Sequence, residues 1–322
     1  MNIAISRTDA IGDVVMTFPL CGILKQRIPN CHITFIGKDY TRSIIEKEAD
    51  VDSFASYSEW EQQSDTQLTA SLRELNLDAI IFVFPNKRLA RMAHLAGIAT
   101  RIGTSHRLYN LLHCNSRINF SRRRSTLNEA QLNVTLLRPL LEVPDYTLQQ
   151  LTDFVHLRGI IPSSRPAGSP FRLIIHPKSH NSAREYSWDN YRRLIDLLPP
   201  DMEICLCGTQ EEGRGIEIQH PNVKNMFGRF TLNEYISFIA SCDCFVACST
   251  GPLHLAAILG RHTIGLYPSI HPLDPSRWHP LGHHVKVFAQ PTPCRDCKGG
   301  TLCHCINDIA PEQIAQEILN HA

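Results

Sequence analysis

The chain reads as an α/β protein of two doubly wound domains. Three observations point there. Short apolar runs that read as buried strands alternate with helical patterns. The alternation stops at Ile161-Pro162-Ser163-Ser164-Arg165-Pro166-Ala167-Gly168-Ser169-Pro170, then starts again. At 322 residues the chain is long enough for two domains of ordinary size.

Taken in order, Asn2–Ser6 is a short apolar strand, followed by the polar turn Arg7-Thr8-Asp9-Ala10-Ile11-Gly12-Asp13. Val14–Ile28 is largely helical in pattern. Pro19 either kinks that helix or marks a true first turn with Thr17 as its cap. His32–Gly37 is the next strand, Ser43–Ala49 a helix and Leu77–Phe84 a buried strand. Lys87–Leu95 is helical, Arg101–Gly103 starts a strand, and Asn128–Leu141 is a helix. Three prolines with Ser and Gly across 161–170 hold neither helix nor central strand, so this is the linker.

In the second half Phe171–His176 is a strand, Trp188–Leu198 a helix and Glu203–Cys207 a strand followed by a helix from about Gln210. Thr231-Leu232-Asn233-Glu234 is a capping box that opens a helix ending near Cys242. Cys244–Ala247 and Thr263–Tyr267 are strands. Beyond Pro268 the chain turns irregular, and a helix from about Pro311 to Asn320 either closes the second domain or packs back on the first. In such sheets ligands bind beyond the carboxyl ends of the strands, so two domains of this kind are expected to face a ligand cleft.

Composition excludes several classes. Apolar residues at 43% and charged residues at 20% are globular values. Lys+Arg 32 against Asp+Glu 31 gives no pull toward nucleic acid. Met1–Ser6 is too short and unflanked for a signal peptide, and no run of about 18 apolar residues suits a membrane span. Twelve cysteines without a secretion signal imply reduced thiols and a cytoplasmic protein. Walker, Gly-x-Gly-x-x-Gly, Gly-x-Ser-x-Gly and His-Glu-x-x-His motifs are absent from the sequence.

Four strand-end segments carry candidate chemistry. Ser249-Thr250-Gly251-Pro252-Leu253-His254 runs from a strand into a helix ending at Gly260. Ser249 or Thr250 can cap that helix, and the amides of Thr250, Gly251 and Leu253 would face an anion such as a diphosphate. Gly12 lets the backbone turn, and Asp13 after it is either a general base or a helix N-cap; Asp9 is either a cleft carboxylate or a turn residue. Lys178-Ser179-His180-Asn181-Ser182-Ala183-Arg184 is either a diphosphate loop or a solvated one. In Gly208-Thr209-Gln210-Glu211-Glu212 the glutamates could accept bonds from ribose hydroxyls or favour a helix start.

Two further clusters stand apart. The basic run Arg117–Arg124 would meet anionic lipid head groups or be a solvated loop. Cys294, Cys297, Cys303 and Cys305 have partial zinc spacing; reduced, partly buried thiols are the alternative, and no metal is required.

Together these segments resemble the ADP-heptose:lipopolysaccharide heptosyltransferases, glycosyltransferase family 9. Arg7–Pro19 is similar to the family's amino-terminal signature. Ile175-His176-Pro177 with Ser182-Ala183-Arg184 and Trp188 resembles the opening of its second domain. Ser249–Ala257 is similar to its donor-site signature, continued by Asp274-Pro275 and Arg277-Trp278.

The resemblance implies a GT-B architecture of two Rossmann-like domains: residues 1–161 for the acceptor, 162–170 as linker and 171–322 for the nucleotide-sugar donor. It implies inverting transfer of a heptose from ADP-heptose to a lipopolysaccharide core or lipid A-type acceptor, without an obligatory metal or other cofactor. The glycolipid acceptor would place the enzyme at the inner face of the inner membrane. Asp13 falls on the family's general base, and Arg7 and Gly12 on the acceptor side. Arg184 or Lys178, with Ser179 and the Thr250–Leu253 amides, would stabilise the leaving diphosphate. Glu211 or Glu212 would hold the ribose and Phe230 flank the adenine; Ser249, Pro252 and His254 complete the donor set.

Two positions depart from the pattern. Ser249 stands where the family usually has Asp before Thr-Gly-Pro, and Arg184 lies four positions ahead of Trp188. The alternatives are therefore a family member with weakened catalysis that binds nucleotide sugars, a transferase using another nucleotide sugar, or a nucleotide-sugar epimerase of the same architecture.

Overall fold

A computed structural model describes residues 1–180, 182–217, 220–292 and 304–322. The chain divides into two compact units, Met1–Gly159 and Ile160–Ala322. Each is built on a six-stranded, wholly parallel sheet flanked by helices.

The first sheet contains β1 (Asn2–Ser6), β2 (His32–Gly37), β3 (Ser53–Ser56), β4 (Ala79–Phe82), β5 (Thr100–Thr104) and β6 (Ser116–Ile118), in the order β3-β2-β1-β4-β5-β6. The second contains β7 (Arg172–His176), β8 (Glu203–Leu206), β9 (Val223–Asn225), β10 (Cys244–Cys248), β11 (His262–Leu266) and β12 (Val285–Phe288). Its order, β12-β11-β10-β7-β8-β9, repeats the winding of the first when read from β9. Strand order therefore reverses between β1 and β4 in one unit and between β7 and β10 in the other. A crevice opens beyond the carboxyl ends of the strands at such a switch point.

The central strands are legible because helices cover both faces of a parallel sheet, so their apolar runs are continuous. Ile3, Ala4 and Ile5 are wholly buried, as are Leu173, Ile174 and Ile175, and Phe245, Val246 and Ala247. The four strands absent from the sequence reading, β3, β6, β9 and β12, are the four sheet edges. They are three or four residues long and largely half-exposed, so they lack such a run.

Several boundaries are corrected. Val14–Ile28 is two helices, Ile11–Val15 and Pro19–Arg27. Pro19 opens the second one, where its missing N–H costs nothing, and Phe18 rather than Thr17 occupies the cap position. Ser43–Ala49 shrinks to Arg42–Ile45. Asn128 and Gln131 form a capping box on Glu129–Val134, and a 3-10 turn, Thr135–Leu137, continues it. The helix expected from Gln210 is a series of turns broken by Gly213 and by Gly215, the latter at φ +76°. Helices Tyr57–Gln62, Asp65–Glu74, Leu108–His113, Leu148–Thr152 and Pro275–Trp278 were not anticipated.

Residues 161–170 form neither helix nor strand and are tied to the second unit. Arg165 donates to Ser241 O at 2.9 Å and to Asp243 Oδ2 at 2.8 Å. The helix Pro311–Leu319 also belongs to that unit, burying Ile314, Ala315 and Ile318 with Leu194 and Ile195. Among the described residues no helix is long and apolar enough to cross a membrane.

Candidate active site

At the carboxyl end of β1 the chain gathers charge. Arg7, 2% exposed, spreads its guanidinium over three carboxylates. Nε donates to Asp9 Oδ1 at 2.6 Å, one terminal nitrogen donates to Glu129 Oε1 at 2.8 Å, and the other donates to Asp13 Oδ1. Glu129 is wholly buried and also accepts from Arg122 Nε at 3.0 Å. Arg122 donates onward to Val83 O at 2.8 Å, beyond β4, and to Asn133 Oδ1 at 3.0 Å. The network thus joins both strands of the switch point.

Burial pushes the Asp9 carboxyl up to about 6; Arg7 opposes the shift and Asp13 adds to it. Burial, with Arg7 close by, also brings Arg122 down to about 10. Asp13 is the third residue of the helix Ile11–Val15. The cap position is Ala10, which makes no side-chain cap bond, so Asp13 is not an N-cap. Its side chain is 19% exposed, leaving an accessible carboxylate anchored from below.

Arg7 is buried and forked across three acids, and so fixes the carboxylates around it. Gly12 is buried, and its carbonyl accepts from Met16. The basic run is no single patch. Residues 116–118 form an edge strand, Arg122 is spent on Glu129, and Arg123 and Arg124 are exposed.

In the second unit Ala247 pairs with His176, so the segments following β10 and β7 leave the sheet side by side. Thr250 sits at the cap of the helix Gly251–Ile258 without capping it. Its Oγ1 is buried with no hydrogen-bond partner. Leu253 N–H turns inward to Thr250 O at 3.1 Å, so of the three amides expected to face an anion this one is occupied. The Gly251 amide, at the first helical position, has no intrahelical acceptor. Pro252 takes the place where a missing donor is harmless.

His254 is 2% exposed, its Nδ1 unpartnered and its ring edge-on to Trp278 at 6.4 Å. Burial, aided by His279, pushes it down to about 4, so at neutral pH it offers no positive charge. Ser249 is half-buried and hydrogen-bonds with Tyr267, whose hydroxyl donates to Trp278 O at 2.7 Å. Ser249 thereby ties the Thr-Gly-Pro turn to the Arg277-Trp278 turn. Asp274 caps the latter, accepting from Ser276 N at 2.9 Å.

Beyond β7, Glu185 organises the loop, a role the sequence reading missed. It accepts from Ser179 N at 2.8 Å, Ser179 Oγ at 2.9 Å and Lys178 Nζ at 3.1 Å. Burial pushes its carboxyl up, but these donors outweigh that and hold it below the usual range. Arg184 is half-buried and its Nε has no partner, so it is a cation of this loop with a donor to spare.

Glu212 Oε2 accepts from Thr209 N at 2.7 Å and Glu212 N donates to Thr209 Oγ1 at 3.2 Å, closing their own turn, while Glu211 is exposed. Phe230 stacks on Phe238 at 4.6 Å and on Tyr235 at 5.9 Å. It precedes the Thr231 cap as a hydrophobic staple. Cys294, Cys297 and Cys303 lie outside the described residues. Cys305 is buried in the second unit's core and accepts from Ser269 N at 3.4 Å.

Two Rossmann-wound units, each with polar side chains collected at its switch point, define the GT-B class of glycosyltransferase. The chain belongs to glycosyltransferase family 9 (heptosyltransferase), whose sequence profile matches residues 66–304. It is 24% identical to lipopolysaccharide heptosyltransferase 2 of Escherichia coli K12, over 99% of this chain and 97% of that one. The structure of E. coli ADP-heptose lipopolysaccharide heptosyltransferase II superposes with a TM-score of 0.74 at 18% identity, covering 99% of this chain and 98% of that one. E. coli heptosyltransferase WaaC with ADP does so with a TM-score of 0.73 at 17% identity, covering the whole of both chains.

Proposed function

We propose that this glycosyltransferase moves a heptose from ADP-heptose to a lipopolysaccharide-core or lipid A-type hydroxyl, with inversion at the anomeric carbon. The observation that carries the reading is the Asp13 carboxylate, accessible at the carboxyl end of β1 and fixed from below by buried Arg7. In the reaction the acceptor oxygen bonds to the anomeric carbon as the bond from that carbon to the β-phosphate oxygen breaks. Asp13 takes the acceptor proton, and ADP leaves with the electron pair.

Negative charge grows on the diphosphate, and the second unit holds suitable donors: the Gly251 amide at a helix start, the Thr250 hydroxyl, and Arg184 and Lys178 from the neighbouring loop. Ser179 is bound to Glu185 and holds the loop in shape. Glu211 or Glu212 is assigned to the ribose and Phe230 to the adenine. The complex of the neighbour WaaC with ADP supports a nucleotide diphosphate as the donor's leaving group. A glycolipid acceptor implies work at the membrane surface on the cytoplasmic side.

The test is Asp13→Asn. Turnover of ADP-heptose with a heptose-acceptor glycolipid should fall by about 10²–10⁴-fold. Calorimetric ADP affinity should stay within about twofold. Turnover near that of the unsubstituted protein would overturn the base assignment. Mass spectrometry of the glycolipid core from cells lacking the chain should show a missing heptose.

A further inference from the structure

The helix Pro311–Leu319 and the start of β11 bring two histidines onto one carboxylate. His262 Nε2 and His321 Nε2 each lie 3.3 Å from Glu317 Oε1. The two imidazoles are nearly face to face, with centroids 3.6 Å apart and planes 30° from parallel. The His262 and Glu317 side chains are 12% and 18% exposed, and His321 is 47% exposed. His262 Nε2 is buried and makes no hydrogen bond, although it sits beside the carboxylate.

The cluster offers two imidazole nitrogens and one carboxylate oxygen within reach of a single ion, and the exposed His321 ring has room to turn out of its stacked position to meet it. Ligand atoms about 2.0–2.1 Å from a tetrahedral ion are roughly 3.3 Å apart, the separation seen here twice. The three ligand atoms all lie within 4.8 Å of one another. A second group, Glu48, Asp50 and His156, makes the contrast: His156 Nδ1 meets Asp50 Oδ2 at 2.5 Å as a hydrogen bond.

We infer that His262, Glu317 and His321 form a binding site for a divalent transition-metal ion of the zinc type, with a fourth position open to water. Two imidazoles and one carboxylate suit such an ion better than magnesium or calcium, which prefer all-oxygen shells. Glu317 and His321 are four positions apart along the closing helix and its end, and His262 is the first residue of β11. The ion therefore clips the closing helix to the amino end of the second sheet. Ser249–His254 lies at the opposite, carboxyl end of the strands, so the role is structural and independent of sugar transfer.

The test uses the full-length, tag-free protein stripped with a chelator, then titrated with Zn²⁺ by calorimetry and with Co²⁺ by absorption. His262→Gln and His321→Gln are run alongside. Zn²⁺ should raise the thermal midpoint by on the order of 5 °C when well above its dissociation constant. Each variant should weaken the affinity by at least about tenfold. Co²⁺ should give visible d–d bands that are lost in His321→Gln, a substitution at an exposed position that leaves folding intact. Absence of binding overturns the site. So does an affinity unchanged in both variants, or Co²⁺ absorption dominated by thiolate charge transfer that persists in His321→Gln and places the ion on cysteines.

Discussion

Arg7 holds Asp13 from beneath while its other nitrogens are committed to Asp9 and to Glu129, a residue 122 positions away. The guanidinium is buried, so the accessible base candidate stands on an inaccessible cation. Removing one partner of a buried charge network costs far more than the network contributes, because the remaining charges lose their counter-ion. Arg7→Met should therefore lower unfolding free energy by about 3–5 kcal/mol, measured in urea. The double variant Arg7→Met with Asp9→Asn should recover part of that loss, since Asp9 is then neutral while Glu129 keeps Arg122. Strict additivity of the two substitutions would show that the contact carries no coupling.

Asp9 shares Arg7 with Asp13, and its carboxyl is pushed up to about 6 by burial against an unfolded value of 3.8. Between these values the folded state binds more protons than the unfolded state. Stability therefore falls as pH rises through about 4 to 6, then stays level for this group. Asp9→Asn removes that slope. Relative to the unsubstituted protein, the urea midpoint of the variant should rise with pH across that window, by no more than about 3 kcal/mol in free energy. A constant difference across the window would refute the assignment.

How much of this was legible follows from the range of each interaction. The Thr231–Glu234 box and the runs Leu173–Ile175 and Phe245–Ala247 are local signals, and the fold bears them out. Edge strands such as β9, with burial confined to partial cover of Val223, have no local signature and are set by pairing with β8. Asp13 was readable as a candidate from the Gly12 turn. Glu129 was not, because its meaning lies in a contact to Arg7. Arg122 could not be told from its neighbours for the same reason: charge density along the chain does not reveal which arginine turns inward. The neutrality of His254 near the helix start was not legible, since burial decides protonation and the sequence does not display burial of a single side chain.

Thr250 Oγ1 is a buried hydroxyl without a partner, a state that costs folding energy unless a ligand uses it. Thr250→Val keeps the shape and removes the hydroxyl. Its unfolding midpoint should equal or exceed that of the unsubstituted protein. Its affinity for ADP should fall about tenfold, roughly 1.4 kcal/mol. A structural role would give the reverse pattern, with lost stability and unchanged affinity. Calorimetry with ADP and urea unfolding on the same preparation separate the two.

Glu48 gives a second pH window in the first unit. It is wholly buried; Oε1 accepts from His156 N at 3.1 Å and Asp50 N at 3.4 Å, while Oε2 has no partner. Burial pushes its carboxyl up to about 8, against the restraint of those two N–H donors. A raised carboxyl binds its proton more tightly in the folded state, so stability declines as pH rises from about 4.5 to 8. Glu48→Gln keeps the Oε1 acceptor for both amides and abolishes the titration. The variant should match the unsubstituted protein most nearly at pH 5 and gain on it steadily toward pH 8. Because Asp9 titrates in the lower half of this window, the slope between pH 6.5 and 8 belongs to Glu48. Urea unfolding of both proteins across that upper interval measures it, and parallel curves there would show that Glu48 is ionised throughout.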